Sequence, residues 1–237
     1  MSDGARVGIL MLQTRFPRIP GDVGNPHTWP FPVEYLFVDG TSAEAIVRRL
    51  DPERFVAPFV AAARKLEGRG VGLIATGCGF LILLQESLQR AVRVPVLTSS
   101  LLQAGWLLPL VRSDRKVGIL TFEAQSLGAS HLAAAAIDPA RVAIRGLEGT
   151  AFHRTIIEDL PELDVDRARR DHVRIARELV ADHPEVAALV LECTNMPPYA
   201  DAIREATDLP VFDLTTLVDW GVNAFAQEHQ LAGGSFH

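Results

Sequence analysis

The segment VGLIATGCGF at residues 71–80 reads as a buried strand that ends in a cysteine held between two glycines. A second segment, VAALVLECTNM at 186–196, has the same form, an apolar run closing on a cysteine. Cys78 and Cys193 are the only cysteines of the 237-residue chain and stand 115 residues apart. Downstream, VRVPVLTSS at 92–100 matches TDLPVFDLT at 207–215, with Pro95 and Pro210 again 115 residues apart. Upstream, RVGILML at 6–12 reappears as KVGILTF at 116–122. Every parallel α/β protein carries Val, Ile and Leu strands, so likeness between strands alone means little. That likeness leaves unexplained the cysteine-to-proline spacing of 17 residues in both halves. Three segments in one order at a nearly constant offset indicate an internal duplication.

Outward from these segments, short β-branched runs alternate with longer helical patterns, the mark of βαβ units around a parallel sheet. Strands are expected at 6–12, 33–38, 71–76, 93–97, 116–121, 141–146, 186–191 and 209–212. Helices are expected at 41–49, 52–67, 79–90, 100–110, 125–136, 166–182, 196–206 and 214–229. In the helix at 166–182, Val173, Ala176, Leu179 and Val180 recur at helical spacing with charges between them, an amphipathic structural helix. The predicted fold class is α/β, with two pseudo-symmetric Rossmann-like lobes and a site in the cleft between them. The N-terminal lobe, 1–114, carries Cys78 and the C-terminal lobe, 115–237, carries Cys193; the last helix is a candidate to pack back on the first lobe. Residues 13–32, QTRFPRIPGDVGNPHTWPFP, are too long for an ordinary connection and suit a lid, with His27, Trp29 and Phe31 as its candidate contacts, or an oligomer contact. The final LAGGSFH reads as a frayed tail.

Composition narrows the partners. A formal charge of −6 with scattered basic residues, such as Arg167, Arg169 and Arg170, argues against a nucleic-acid surface. The apolar stretches near 79–84 and 104–111 fall short of the roughly 20 residues of a membrane span. No secretory leader is visible at the start, so a reducing cytoplasm is expected. No CxxC or HExxH spacing offers a zinc site, and His27, His153, His172 and His183 read as surface or packing residues. A small-molecule or protein partner remains.

Ligands of open parallel sheets bind beyond the carboxyl ends of the strands, beside helix N-termini. Both cysteines belong there, and an approximate twofold would aim them at one crevice. A helix N-terminus favours a thiolate, while Gly77 and Gly79 permit close backbone approach. Thr76, Thr98, Ser99, Ser100, Thr121, Thr194, Asn195, Thr215 and Thr216 gather at the same strand ends and are suited to hold a carboxylate without Lys or Arg. Helix capping explains any one of them equally well, and buried packing is the ordinary role of a lone cysteine. Glu192, beside Cys193, either tunes that thiol or faces solvent. Two thiols on opposite sides of an α-carbon suit a two-base reaction, one removing the proton and the other returning it.

ATGCGF at 75–80, ECTN at 192–195 and the duplication resemble the aspartate/glutamate racemase superfamily, which includes hydantoin racemases, maleate cis–trans isomerases and arylmalonate decarboxylases. The resemblance covers essentially the whole chain. It implies a cofactor-independent enzyme with Cys78 and Cys193 catalytic, Thr194 and Asn195 at the substrate pocket, and Thr121 helping to hold a substrate carboxylate; Thr76, Gly79 and Ser99 complete the candidate binding set. It also implies a homodimer. Several features depart from glutamate racemases: MLQT at 11–14 in place of an Asp-Ser pair, Gly79-Phe80 in place of Asn-Thr, and Asn195 in place of His. The first reading is therefore a racemase or epimerase of an amino acid or related small carboxylate. The alternative is maleate-type isomerisation or decarboxylation on the same fold, although two thiols argue against the one-thiol decarboxylase branch. A binding protein without catalysis is the third reading.

Overall fold

The computed structural model describes residues 6–49 and 51–225. Strands β1 (Val7–Leu12), β2 (Val33–Val38), β3 (Leu73–Thr76) and β4 (Val96–Leu97) form a parallel sheet in the order β2-β1-β3-β4. Strands β5 (Lys116–Thr121), β6 (Val142–Gly146), β7 (Val186–Leu191) and β8 (Val211–Phe212) form a second in the equivalent order β6-β5-β7-β8. The two lobes thus repeat one topology. All six residues of β1 and all four of β3 are buried, because helices cover both faces of a parallel sheet and leave no polar side.

The helices are α1 (Ala43–Arg49), α2 (Pro52–Gly68), α3 (Gln85–Ala91), α4 (Leu101–Leu107), α5 (Ala129–Ala134), α6 (Ala151–Ile157), α7 (Val165–Asp182), α8 (Ala200–Thr207) and α9 (Leu214–Phe225). Side-chain caps start the two longest: Asp51 accepts from Glu53 N ahead of Pro52, and Asp164 accepts from Arg167 N. On α7 the buried stripe is Ala168, His172, Ile175, Ala176 and Leu179, so Val173 and Val180 flank the core rather than centre it.

Several elements differ from the sequence expectation. The segment 79–90 is a 3-10 helix over Gly79–Leu84 followed by α3. Its opening is fixed by the short-range bond from Leu81 N to Cys78 O, and FLILL has no polar face to present. Two prolines confine 196–206 to a 3-10 turn at Pro197–Tyr199 and then α8. Strands β4 and β8 keep only two residues each, because Pro95 and Pro210 have no N–H; their carbonyls still accept from Ile74 N and Leu189 N. The free edge of β4 is covered by glutamines, with Gln85 Nε2 donating to Val96 O and Val96 N donating to Gln89 Oε1. Helix α6 has no counterpart among the expected helices. The extension of the last helix to 229 and the tail at 231–237 lie outside the described residues.

The lobes exchange helices. Helix α4 leaves the first lobe and packs on β5 and β7 of the second. Helix α9 returns from the second lobe: Leu214, Leu217 and Val218 bury against Val7, Ile9, Leu73 and Leu97. Gly221 lets α9 come so close that a Cβ there would strike Leu73 and Leu97. The two exchanged helices meet where Gln103 Nε2 donates to Asp213 O and Thr216 Oγ1 donates to Gln103 Oε1. Among the described residues no helix is long and apolar enough to cross a membrane.

Candidate active site

Cys78 lies two residues beyond β3 and Cys193 two residues beyond β7, so equivalent strand ends deliver both to the join between the lobes. Both line one cavity of about 350 Å³, counting its mouth. Cys193 is buried, whereas Cys78 keeps a partly exposed face. Directly beside them the lobes are tied by Thr194 Oγ1, which donates to Gly77 O at 2.8 Å, and by Ser100 Oγ, which donates to Leu191 O at 2.6 Å. Apolar walls come from Leu12, Phe16, Val47, Phe80, Phe122 and Ile156.

The candidate binding residues divide into two groups. Gly79, Thr194 and Asn195 line the cavity with the cysteines. Thr76, Ser99 and Thr121 are fully buried behind it, with their hydroxyls engaged elsewhere. Thr76 Oγ1 donates to Thr98 O at 2.6 Å, Ser99 Oγ accepts from Leu101 N, and Thr121 Oγ1 donates to a carboxyl oxygen of Glu192 at 2.8 Å. These three are structural hydroxyls of strand ends, not cavity contacts.

Three cavity residues that sequence reasoning did not select come from segment 13–32, which runs as a strap across the join. Thr14, Phe16 and Arg18 face the cavity, rather than the expected His27, Trp29 and Phe31. Trp29 instead donates to Val23 O and stacks near Phe31, and His27 is exposed. The strap is fixed to the second lobe at three points. Arg15 N and Phe16 N donate to Asp159 Oδ1, Val23 N donates to Thr194 O, and Asn195 Nδ2 donates to Asp22 Oδ2 at 2.6 Å. Along the cavity wall, Cys193 Sγ donates to Asn195 Oδ1 at 3.5 Å, Asp22 Oδ1 accepts from Arg18 Nη1 at 2.9 Å, and Arg18 Nη2 reaches Thr14 Oγ1. Nothing in a Pro/Gly-rich run marks which of its residues turn inward. Helix α1 is clamped over the same cavity by Arg48, whose guanidinium binds Glu123 at 2.7 Å and holds that carboxyl down to about 2. His153 and Ser126 also bond Glu123, and His172 packs in the core against Tyr199 and Phe152.

Glu192 is buried rather than solvent-facing, with 1 % of its surface exposed. Its Oε2 accepts from Thr121 Oγ1 and Phe122 N, while Oε1 has no hydrogen-bond partner. The missed signal was an acidic residue directly after the apolar strand VAALVL, where the strand's double burial keeps it off the outer surface and the cavity is the open side left to it. Burial raises the Glu192 carboxyl to about 7. It also pushes the Cys78 thiol up to about 12 and the Cys193 thiol well above its ordinary value, in both cases reinforced by the Glu192 charge. Backbone N–H groups of Phe80 and Leu81 at Cys78, and of Asn195 at Cys193, pull the other way as the helix-terminus argument expects, but desolvation outweighs them. Cys78 in turn acts on Cys193 through its charge. Among the described residues no group of three His, Cys, Asp or Glu side chains could hold a metal ion.

The fold, two like lobes of one topology, is shared with solved structures of arylmalonate decarboxylase, allantoin racemase and aspartate racemase. Unliganded arylmalonate decarboxylase superposes with a TM-score of 0.60 at 14 % identity, over 98 % of this chain and 94 % of that one. Allantoin racemase from Klebsiella pneumoniae gives 0.58 at 14 % identity, over 97 % of this chain and 88 % of that one. Picrophilus torridus aspartate racemase gives 0.52 at 18 % identity, over 99 % and 96 %. No family model matches the chain. In sequence, it is 30 % identical to dimethylsulfoniopropionate lyase of Durusdinium sp. clade D, over 98 % of its own length and 79 % of that protein. It is also 30 % identical to dimethylsulfoniopropionate lyase 3 of Emiliania huxleyi (strain CCMP1516), over 91 % of its own length and 58 % of that protein. The chain belongs to the dimethylsulfoniopropionate lyase family.

Proposed function

We propose that the protein is a lyase acting on a short carboxylate with a sulfonium leaving group at its β-carbon, the substrate type named for its relatives. A cleft thiolate removes the proton from the carbon beside the carboxylate. That C–H electron pair becomes the new double bond, the C–S bond breaks, and its pair leaves with sulfur as a neutral sulfide. For dimethylsulfoniopropionate the products are dimethyl sulfide, acrylate and one proton. The observation that carries this reading is the shared cavity of Cys78 and Cys193. Its other features agree with it. The rings of Phe16, Phe80 and Phe122 suit a sulfonium cation and then a neutral apolar product. Arg18 and the N–H groups beside the cysteines offer the carboxylate its partners.

The relatives favour lyase chemistry, the class of the decarboxylation in the sequence reading's alternative, over racemisation, which that reading placed first. Racemisation keeps one specific support, the approach of two thiols from separate lobes, and it shares the first step. Headspace measurement of dimethyl sulfide from dimethylsulfoniopropionate separates the two. Release that depends on both cysteines supports the lyase, and α-deuteration of amino acids or hydantoins in deuterium oxide without any sulfide supports the racemase. A protein that does neither across a broad panel, yet binds ligands equally well as Cys78→Ala and Cys193→Ala, is the binding module.

A further inference from the structure

From the cleft geometry we infer that Glu192 is an acid–base residue of the site, the group that takes the proton from a cleft thiol and passes it on to solvent. This rests on the lyase reading for its role in turnover, though not for its test. Three observations converge. Glu192 lines the cavity with both cysteines. Its Oε1 is buried without a hydrogen-bond partner, a costly arrangement unless that oxygen has work to do. It also lies against the backbone of Gly79, next to Cys78: a Cβ at Gly79 would collide with both Glu192 O and Oε1. The carboxyl is held from behind by Thr121 Oγ1 and Phe122 N through Oε2 alone, which leaves Oε1 aimed at the first lobe.

The chemistry requires such a group. Racemisation returns the proton it removes, so two thiols suffice. Elimination releases a net proton, and both thiols are strongly protonated at rest. In the proposed cycle the Glu192 carboxylate takes the S–H proton, leaving a thiolate and a neutral carboxylic acid. The thiolate takes the substrate α-proton, sulfide departs, the thiol is restored, and Glu192 loses its proton to solvent. A group titrating near neutrality is suited to both halves of that exchange. The titratable groups that line the cavity with it are Cys193 from its own strand end, Cys78 from the first lobe and Arg18 from the strap, and Asp22, the partner of Arg18, acts through its charge on Cys193.

The test is the rate of iodoacetamide alkylation of Cys78 and Cys193, followed by mass spectrometry from pH 5.5 to 9.5 in wild type, Glu192→Gln and Glu192→Asp. As a base, Glu192 gives the wild type a rise in rate centred near pH 7, and Glu192→Gln loses it, alkylating at least about tenfold more slowly at pH 7.5. Glu192→Asp recovers part of the rise. As a mere buried charge, Glu192 holds the thiols protonated, so Glu192→Gln would alkylate faster. A faster or unchanged rate overturns the inference. Should Glu192→Gln not fold, the wild-type profile decides: a rise near pH 7 supports it, and a rise only above pH 9 overturns it. If alkylation behaves as expected while no sulfide is released from dimethylsulfoniopropionate, the lyase reading fails and the assignment of Glu192 stands.

Discussion

Asp22 and Asn195, 173 positions apart, share a buried hydrogen bond of 2.6 Å that joins the strap to the loop carrying the second cysteine. The same asparagine receives the Cys193 thiol through its other amide atom. Strap position and thiol orientation are therefore one variable. Asn195→Ala and Asp22→Ala should each raise KM for the sulfonium substrate and destabilise the fold by about 1.5–3 kcal/mol, the range for hydrogen bonds to charged groups. The double variant should cost less than the sum of the two singles. Denaturant titration and KM measured on all four proteins check this.

Cys78→Ser and Cys193→Ser should each lower kcat for sulfide release by at least about 10²-fold, with melting temperatures near the wild type. Under the lyase reading one of the two falls further, because only one thiol takes the α-proton. The readout is kcat together with retention of the far-UV dichroism spectrum.

Gly79→Ala places a methyl where Glu192 O and Oε1 already sit. The lobes would have to separate locally, at a cost of about 1–3 kcal/mol for overpacking. Activity should fall by more than the stability loss explains, since both thiols and the carboxyl shift with the lobes. Thermal melting and kcat on the same preparation test the point.

Two buried groups set opposing pH dependences. His172 is fully buried and held at about 4 against an ordinary 6.5. Between those values the unfolded chain binds the extra proton, so stability is lost as pH falls from 6.5 toward 4. Glu192 is raised to about 7 from 4.5, so the folded state holds the extra proton and stability is lost as pH rises from 4.5 toward 7. Each shift corresponds to about 3 kcal/mol as an upper bound. Their near cancellation predicts a flat stability profile between pH 5 and 6.5 in the wild type. Glu192→Gln should become less stable on acidification there, and His172→Phe more stable. Urea midpoints across this range measure both slopes.

The sequence revealed the doubled sheets and the positions of both cysteines because strands buried on both faces have an unmistakable composition, and a repeat spacing survives the divergence of everything between. The inward-facing part of the site was less legible. Thr76, Ser99 and Thr121 look like binding hydroxyls in sequence, yet they satisfy backbone and carboxyl groups at crowded strand ends. Arg18 and Asp22 sit in an aperiodic segment, where no period tells inward from outward. Helix α6 was missed because AFHRTII is only seven residues long, and its Thr150 cap follows a glycine-containing turn that reads as loop. Glu192 was visible as a letter, but its fate depended on a neighbour 71 positions away, Thr121, closing over it.

The exchange of α4 and α9 fixes what can be made from this gene product by cutting it. A fragment ending at residue 114 would keep α4 without the strands beneath it and would leave β1 and β3 bare where α9 belongs. Its complement would have the converse defects. Neither piece is expected to stand alone, but mixed in equal amounts they have every reason to find each other. A split version should regain its thiol cleft only on reassembly, which makes the two fragments a natural complementation pair.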